Sequence, residues 1–197
     1  MINVVAGTHH DRSFAQRSAD PTKLFNGHPG WQASGVCGQA VDEFDDKDSV
    51  YLLTTNPQDV VIGGWRLRPT TRPYMLRNVF PELLYGAKAP AERSIWEISP
   101  IAMESGQTQG SSPDSGRASR ALVLETIEFA VRSGVTQYVM VVSLALERLL
   151  RSLGLKLHRF GPPTRIGRAM SVAVWLDVDL HTRSFVPGEP IPLLAAA

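Results

Sequence analysis

The segment Gly63–Leu84, with the sequence GGWRLRPTTRPYMLRNVFPELL, and the run IWEIS at Ile95–Ser99 constrain the fold more than any other part of the chain. Their pattern predicts a strand, a turn, a short amphipathic helix and a second strand. Arg66 and Glu97 fall on these two strands among apolar neighbours. Charges are rarely placed inside a sheet without a partner or a ligand, so the two residues form either a structural ion pair or part of a polar pocket. In a pocket, Glu97 is a candidate general base whose pKa is raised by partial burial.

The composition is that of an ordinary globular chain and excludes several classes of function. The chain has 197 residues, of which 43% are hydrophobic and 20% charged, and its net charge is +1. A net charge this small does not indicate nucleic-acid binding by the protein surface as a whole. The single cysteine, Cys37, excludes internal disulfides. No apolar run approaches the ~20 residues that cross a bilayer. We therefore expect one cytoplasmic domain over residues 1–197, with no membrane insertion.

Hydrophobic patterning predicts strands and helices in a defined order. The strands fall at 1–5, 50–54, 60–68, 95–103, 137–142, 155–160 and 171–178, and the helices at 14–17, 73–76, 81–84, 115–133 and 143–153. This order predicts an α/β fold, a three-layer α/β/α sandwich with a mixed, mostly antiparallel central sheet of the GNAT-like acyltransferase kind. Such a fold does not by itself establish acyl transfer. Pro100 requires a bulge or an edge within its strand.

The acidic segment Asp42–Asp48 has two interpretations. Acidic residues before a strand commonly form a solvated loop, and the segment lacks the glycine and glutamate spacing of an EF-hand, so we expect no metal site. Alternatively, Asp42 and Asp45 face one pocket together. Two carboxylates placed in this way would suit a cationic ligand.

The aromatic residues Phe25, Trp31, Trp65 and Phe80 also have two interpretations. Core packing is the usual role of such side chains. Trp31 lies in a segment rich in glycine and proline, where a lid over a ligand is plausible, and an aromatic face can hold a sulfonium or ammonium group.

Basic residues cluster late in the chain, on a predicted helix and the loops that follow it. They are Arg148, Arg151, Lys156, Arg159, Arg165 and Arg168. Solvated surface charge is the common explanation for such a cluster. A local basic patch on a nearly neutral protein would also suit docking of an acidic carrier protein or a phosphate-bearing ligand.

Several segments in the same order resemble the acyl-homoserine-lactone synthases, the LuxI-type autoinducer synthases. The matching segments are DEFDDKDSVYLL, GGWRLRPTTRPYML, FPELL, IWEIS and ERLLRSLGLKLHRFGPP. The resemblance implies a GNAT-like fold and two substrates, S-adenosylmethionine and an acylated acyl carrier protein, with no cofactor. It also implies that the amine of S-adenosylmethionine attacks the acyl thioester and that the methionine carboxylate then closes the lactone, releasing methylthioadenosine.

The resemblance also implies roles for individual residues. The signature positions are Phe25, Trp31, Asp42, Asp45, Arg66, Phe80 and Glu97. The aspartates and Trp31 would offset the sulfonium, Arg66 would fix carboxylates, and Glu97 would remove the amine proton through a water. We also place Trp65 and Ser99 among the substrate-binding residues.

A tunnel for the acyl chain would run near Met140, Val142 and Leu146. Synthases that make 3-oxo signals usually carry a threonine at the position of Val142, so this residue favours unsubstituted chains. The basic cluster would receive the carrier protein.

Two residues depart from the family pattern. Pro21 and Pro100 stand where the family carries arginines, and proline supplies neither charge nor donor. The alternative function is therefore a catalytically impaired relative that binds an acyl ligand or a partner without turnover. An acetyltransferase dependent on acetyl-CoA is a third interpretation, but the expected glycine-rich loop is not matched around Gly116 and Arg117.

Overall fold

The computed structural model describes residues 3–8, 44, 46–55, 61–101 and 113–185. These residues form eight strands and five helices, one of which is a 3-10 helix. The strands are β1 Asn3–Thr8, β2 Val50–Thr55, β3 Val61–Pro69, β4 Ile95–Ile101, β5 Gln137–Ser143, β6 Leu157–Arg159, β7 Thr164–Ile166 and β8 Ala169–Asp177. The helices are α1 Met75–Asn78, the 3-10 helix η1 Pro81–Leu84, α2 Pro113–Ser133, α3 Leu144–Ser152 and α4 Leu180–Arg183.

The strands form one mixed sheet in the order β1-β2-β3-β4-β5-β8-β6, with β7 also paired to β8. Every neighbouring pair is antiparallel except β4 and β5, which run parallel. A parallel pair needs a crossover connection, and α2 lies in the chain between β4 and β5. The mixed, mostly antiparallel sheet expected from the sequence is therefore confirmed.

Strand periodicity divides the core between the two faces of the sheet. On one face, Met140 and Val142 of β5 pack with side chains of α2 and α3, and we call this group the helix-side core. On the other face, Val139 and Val141 pack with Phe44 and with α1 and η1, and we call this group the pocket-side core. Helices on both faces give the three layers expected for the fold.

The helix ends follow from local sequence. Ser143 is the N-cap of α3, and its hydroxyl accepts a hydrogen bond from the Leu146 N–H at 3.2 Å. After α2, Gly134 has a φ of +69°, the left-handed conformation in which glycine commonly ends a helix. Pro81 stands at the start of η1, where its missing N–H costs nothing.

The strands β4 and β5 separate halfway along their length. Their ladder ends at the pair Ile98 and Met140, whereas β4 stays paired with β3 as far as Ile101. The Ser94 carbonyl faces β5, since it accepts from the Thr136 N–H at 2.8 Å. Backbone groups alternate between the two edges of a strand, so the nitrogen of Pro100 also faces β5.

Proline has no N–H with which to continue this ladder, so the split begins where Pro100 stands. The β3–β4 register continues through Pro100 without a shift, and no bulge forms there. Of the two predicted possibilities, a bulge or an edge, the structure therefore shows an edge at Pro100. The strand β7 and the helix α4 are additions to the predicted elements, and the predicted helix at 14–17 lies outside the described residues.

Candidate active site

Four polar side chains from β3 and β4 lie together on the pocket side of the sheet. Arg66 is opposite Ser99 in the strand register, and Arg68 is opposite Glu97. All four are buried, with 2% of Arg66 and 1% of Glu97 exposed. The sequence prediction that Arg66 and Glu97 are buried charges is therefore confirmed. The residue directly across from Glu97, however, is Arg68, and Arg66 lies on the diagonal.

The Glu97 carboxylate binds the beginning of α1. Its Oε2 accepts from the Met75 N–H at 2.9 Å, and its Oε1 accepts from the Leu76 N–H at 2.7 Å. The Ser99 hydroxyl donates to Oε2 at 3.2 Å. The first N–H groups of a helix have no partners within the helix, so this carboxylate satisfies two of them and joins β4 to α1.

The environment of Glu97 acts on its pKa in opposite directions. Burial raises the pKa and is the largest effect, while the N–H donors of Leu76 and Met75 and the nearby Arg66 guanidinium lower it. The resulting pKa is raised, which is the direction that a general base requires. Oε1 accepts a single hydrogen bond in the described structure and keeps a lone pair for a further donor.

Arg68, which is not among the predicted site residues, is a buried charge with several hydrogen-bond partners. It is 1% exposed, and its Nε donates to the Pro73 carbonyl at 2.5 Å. Its two Nη atoms donate at 2.8 Å to the two carboxylate oxygens of Asp46. Nη1 also donates to the Ser49 hydroxyl at 2.8 Å and to the Phe44 carbonyl. The hydrogen bond from Arg68 is the largest cause of a lowered Asp46 pKa.

Phe44 and Phe80 are two of the aromatic residues of the pocket-side core, which also contains Tyr74. The guanidinium carbons of Arg66 and Arg68 lie 5.6 and 6.0 Å from the centre of the Phe44 ring, within the range of cation–π attraction. Phe80 is 4% exposed and packs in the same core. Phe80 was predicted to bind substrate, and the structure places it on the same face of the sheet as Arg66 and Glu97.

An apolar cavity of about 20 Å³ lies on the opposite face, between the sheet and helices α2 and α3. Its lining side chains are Trp65, Ile98, Val123, Thr126, Ile127, Met140, Leu150, Leu155 and Leu176. Met140 was predicted to contact the acyl chain and does line this cavity. Val142 and Leu146 belong to the surrounding helix-side core rather than to the cavity wall.

The basic cluster contains an internal acid, Glu147, that is 1% exposed. Arg159 binds both oxygens of this carboxylate, through Nε at 2.8 Å and Nη2 at 2.6 Å. Arg151 adds an Nε hydrogen bond at 3.1 Å and also donates to the Leu157 carbonyl at 2.6 Å. The hydrogen bond from Arg159 is the largest cause of a lowered Glu147 pKa. Two of the predicted docking arginines are thus held in fixed positions by a buried carboxylate.

The remaining residues of the basic cluster, Arg148, Lys156, Arg165 and Arg168, are exposed. The β6–β7 turn beside them is held by Tyr85, whose hydroxyl bonds the Pro162 carbonyl at 3.0 Å and the Thr164 hydroxyl at 2.6 Å. This contact connects the turn to the residue that follows η1. The basic surface and the Phe80 segment are therefore linked through one tyrosine.

Four predicted site residues, Phe25, Trp31, Asp42 and Asp45, lie outside the described residues. Within the described part of the chain, no group of three or more metal-binding side chains occurs. No helix there is long and apolar enough to span a membrane.

Comparison with known proteins defines the class. The chain is similar to the solved structure of the AHL synthase LasI, with a TM-score of 0.76, 29% identity and 95% of each chain covered. It is equally similar in fold to TofI in a ternary complex with an inhibitor and MTA, with a TM-score of 0.76, 29% identity, 93% of this chain and 95% of that chain covered. A putative N-acetyltransferase from Lactobacillus plantarum shares the fold alone, at 14% identity and a TM-score of 0.57 over 90% of this chain and 99% of that chain. The protein is therefore a synthase with an acetyltransferase-like fold.

Sequence comparison gives the family. An acyl-homoserine-lactone synthase of Acinetobacter nosocomialis is 33% identical over 90% of this chain and 100% of its own length. Another, from Pseudomonas aeruginosa, is 34% identical over 82% of this chain and 80% of its own length. The family model for autoinducer synthases matches residues 9–186. The chain belongs to the autoinducer synthase family.

Proposed function

We propose that this chain is an acyl-homoserine-lactone synthase that uses S-adenosylmethionine and an acyl thioester. The observation that carries the proposal is the split between β4 and β5. A polar pocket with Arg66, Ser99 and Glu97 lies on one face of the sheet, and an apolar cavity lined by Met140 lies on the other. The strands separate just beyond Ile98 and Met140, where the two compartments adjoin, so an acyl chain and a polar substrate could meet there.

The proposed reaction has two bond-forming steps. The amine nitrogen of S-adenosylmethionine attacks the thioester carbonyl, the thiol leaves, and one amine proton is removed. The methionine carboxylate oxygen then attacks the γ-carbon and the C–S bond of the sulfonium breaks, which gives the lactone and methylthioadenosine. Holding both substrates in one cleft would supply much of the rate, because it converts a bimolecular step into an intramolecular one.

Residue roles follow from chemistry. Arg66 would bind the methionine carboxylate, since a guanidinium matches that group. Glu97 would receive the amine proton through a water at the free lone pair of Oε1, and its raised pKa supports this role. Asp42, Asp45 and Trp31 would balance the sulfonium, while Phe25, Phe80 and Ser99 complete the polar substrate pocket. Trp65 lines the apolar cavity on the other face, so any contact it makes would be with the acyl chain.

The acyl donor would be an acyl-acyl carrier protein. The basic surface around Arg151 and Arg159 supports this proposal, because carrier proteins are acidic. Arg159 is opposite Val174, which is opposite Met140, so two strand spacings, roughly 10 Å, separate the Arg159 backbone from the cavity-lining strand β5. Acyl-CoA is the other possible donor, and the solved structure of BjaI is that of a CoA-dependent synthase.

Turnover with acyl donors of matched chain length tests both the synthase function and the choice of donor. Purified protein is mixed with S-adenosylmethionine and either acyl-acyl carrier protein or acyl-CoA of the same chain length, and methylthioadenosine release is followed. We expect release with the carrier protein, a KM that rises with salt, and loss of release in Arg66→Met. A higher kcat/KM with acyl-CoA would refute the carrier assignment. No release with either donor at any chain length would refute the proposed function.

Pro100 supports the alternative of an impaired relative, because it lies at the split and offers neither charge nor donor. The variant Pro100→Arg distinguishes the two. If the wild-type protein binds S-adenosylmethionine without turnover and the variant gains turnover, the alternative is correct. We expect instead that the wild-type protein turns over.

A further inference from the structure

The indole ring of Trp65 lines the apolar cavity and carries a hydrogen-bond donor without an acceptor. Within the described part of the chain, Nε1 of Trp65 is buried and makes no hydrogen bond. By contrast, Nε1 of Trp96, a residue that does not line the cavity, donates to the Arg93 carbonyl at 3.0 Å. Most buried N–H groups in proteins have a partner, so an exception in the wall of a cavity is a candidate contact for a ligand.

Few other groups around the cavity could donate to a ligand oxygen. Among the described residues that line it, only Trp65 and Thr126 carry a polar hydrogen. The Thr126 hydroxyl donates to the Leu122 carbonyl at 2.7 Å, one turn earlier in α2, so its hydrogen is already used. The Trp65 N–H is therefore the one uncommitted donor that these side chains bring to the cavity. A single placed donor in an apolar pocket fixes the orientation of a ligand.

The strand register places Trp65 beside the split between β4 and β5. Trp65 is directly opposite Pro100, and neighbouring strands lie about 5 Å apart. The last pair of the β4–β5 ladder, Ile98 and Met140, also lines the cavity, so the cavity reaches the point where the strands separate. Pro100 has no N–H, so the β4 backbone offers no donor at this residue. The indole N–H is a side-chain donor on the strand next to it.

We propose that the Trp65 N–H donates a hydrogen bond to the carbonyl oxygen of the acyl thioester. This inference rests on the proposed function, because it takes an acyl thioester as the occupant of the cavity. With the hydrocarbon tail in the cavity and the amine arriving from the polar pocket, the thioester carbon lies between them, at the split. Trp65 is then a catalytic residue, because its N–H contacts the reacting group.

The hydrogen bond strengthens as the acyl group is transferred. When the amine nitrogen bonds to the carbonyl carbon, the π electrons of the carbonyl move onto the oxygen, which becomes an oxyanion. The indole N–H stabilises this charge and keeps its own proton. The electron pair then returns to form the amide carbonyl, the C–S bond breaks, and the thiolate takes up a proton in place of the one that the amine lost. Removing one such donor from an oxyanion site commonly lowers kcat on the order of 100-fold.

The test removes the N–H and keeps the shape of the ring. Site-specific replacement of Trp65 by benzothienylalanine puts sulfur in place of the indole nitrogen. The matched control is the same replacement of Trp96, whose N–H has a protein acceptor away from the cavity. Trp65→Phe, which also lacks the N–H, is the second variant if the first does not fold. Methylthioadenosine release is followed at saturating S-adenosylmethionine with unsubstituted and 3-oxo acyl donors of the same chain length.

We expect kcat to fall about tenfold or more with both donors when Trp65 is replaced, and to change less than about twofold when Trp96 is replaced. A smaller fall with the unsubstituted donor in folded Trp65 variants would overturn the inference and leave the proposed function intact. A fall confined to the 3-oxo donor would also overturn it, because the N–H would then bind the oxygen at C3 rather than the thioester. A wild-type protein that releases no methylthioadenosine with any acyl donor would overturn both.

Discussion

Substitution of Glu97 by glutamine tests whether this carboxylate holds α1 in place. The carboxylate accepts two successive backbone N–H groups, from Met75 at 2.9 Å and from Leu76 at 2.7 Å. A glutamine amide has one oxygen, so it can satisfy only one of these donors and turns its NH₂ group toward the other. The substitution changes hydrogen bonding with almost no change in volume.

The expected magnitude follows from these contacts. A buried donor without a partner costs about 1–3 kcal/mol. The neutral amide also avoids the cost of burying a charge, which offsets part of the loss. We therefore expect the free energy of unfolding to fall by about 2 kcal/mol at pH 7, which lowers Tm by about 4–8 °C in a chain of this size.

Urea denaturation followed by circular dichroism measures this change. Glu82→Gln is the matched control, because Glu82 is exposed on the neighbouring η1, and we expect it to change stability by less than about 0.5 kcal/mol. A loss below about 0.5 kcal/mol in Glu97→Gln would refute the anchoring role. If the variant also loses methylthioadenosine release at a temperature where it is fully folded, the second role of Glu97 in proton removal is supported.

Three further changes give measurable results. Gly161→Ala would place a Cβ 2.0 Å from Cδ2 of Tyr85, so the ring must leave the β6–β7 turn. Thermal denaturation should show that the free energy of unfolding falls by about 1–3 kcal/mol. An unchanged Tm would contradict this contact. Val123→Phe should fill the apolar cavity. We expect the kcat/KM for a long acyl donor, divided by that for a short one, to fall about tenfold or more. An unchanged ratio would place the acyl chain elsewhere. Glu147 has a pKa lowered mainly by its hydrogen bond from Arg159, so its contribution to stability is present above the unfolded pKa and is lost as pH falls through the folded pKa. Glu147→Gln should therefore reduce stability at pH 7 and flatten the acid limb of the stability curve, and an acid limb equal to that of wild type would contradict the pairing.

The strands and helices that position the site could be predicted because their signals are local. The β-branched run at β5, the proline at the start of η1 and the glycine after α2 each specify an element without reference to the rest of the chain. Burial of Arg66 and Glu97 also followed from their apolar neighbours. These features are set within a few residues of the sequence.

The partners of the buried charges could not be predicted, because they depend on the strand register and on contacts distant in sequence. The register places Arg68, rather than Arg66, across from Glu97. Arg68 then bonds to a turn 22 residues earlier in the chain, which only the folded geometry shows. Glu147 falls within the helix predicted at 143–153, but its burial beneath Arg151 and Arg159 depends on β6 returning beside α3.

Mass spectrometry of extracts from cells that express this chain tests whether the protein makes an acyl-homoserine lactone. We expect such a lactone to be present with the wild-type chain and absent with Arg66→Met expressed to the same level. The sequence at Val142 further predicts an unsubstituted acyl chain. Absence of any acyl-homoserine lactone from cells that contain folded wild-type protein and acyl donors would refute the proposed synthase function.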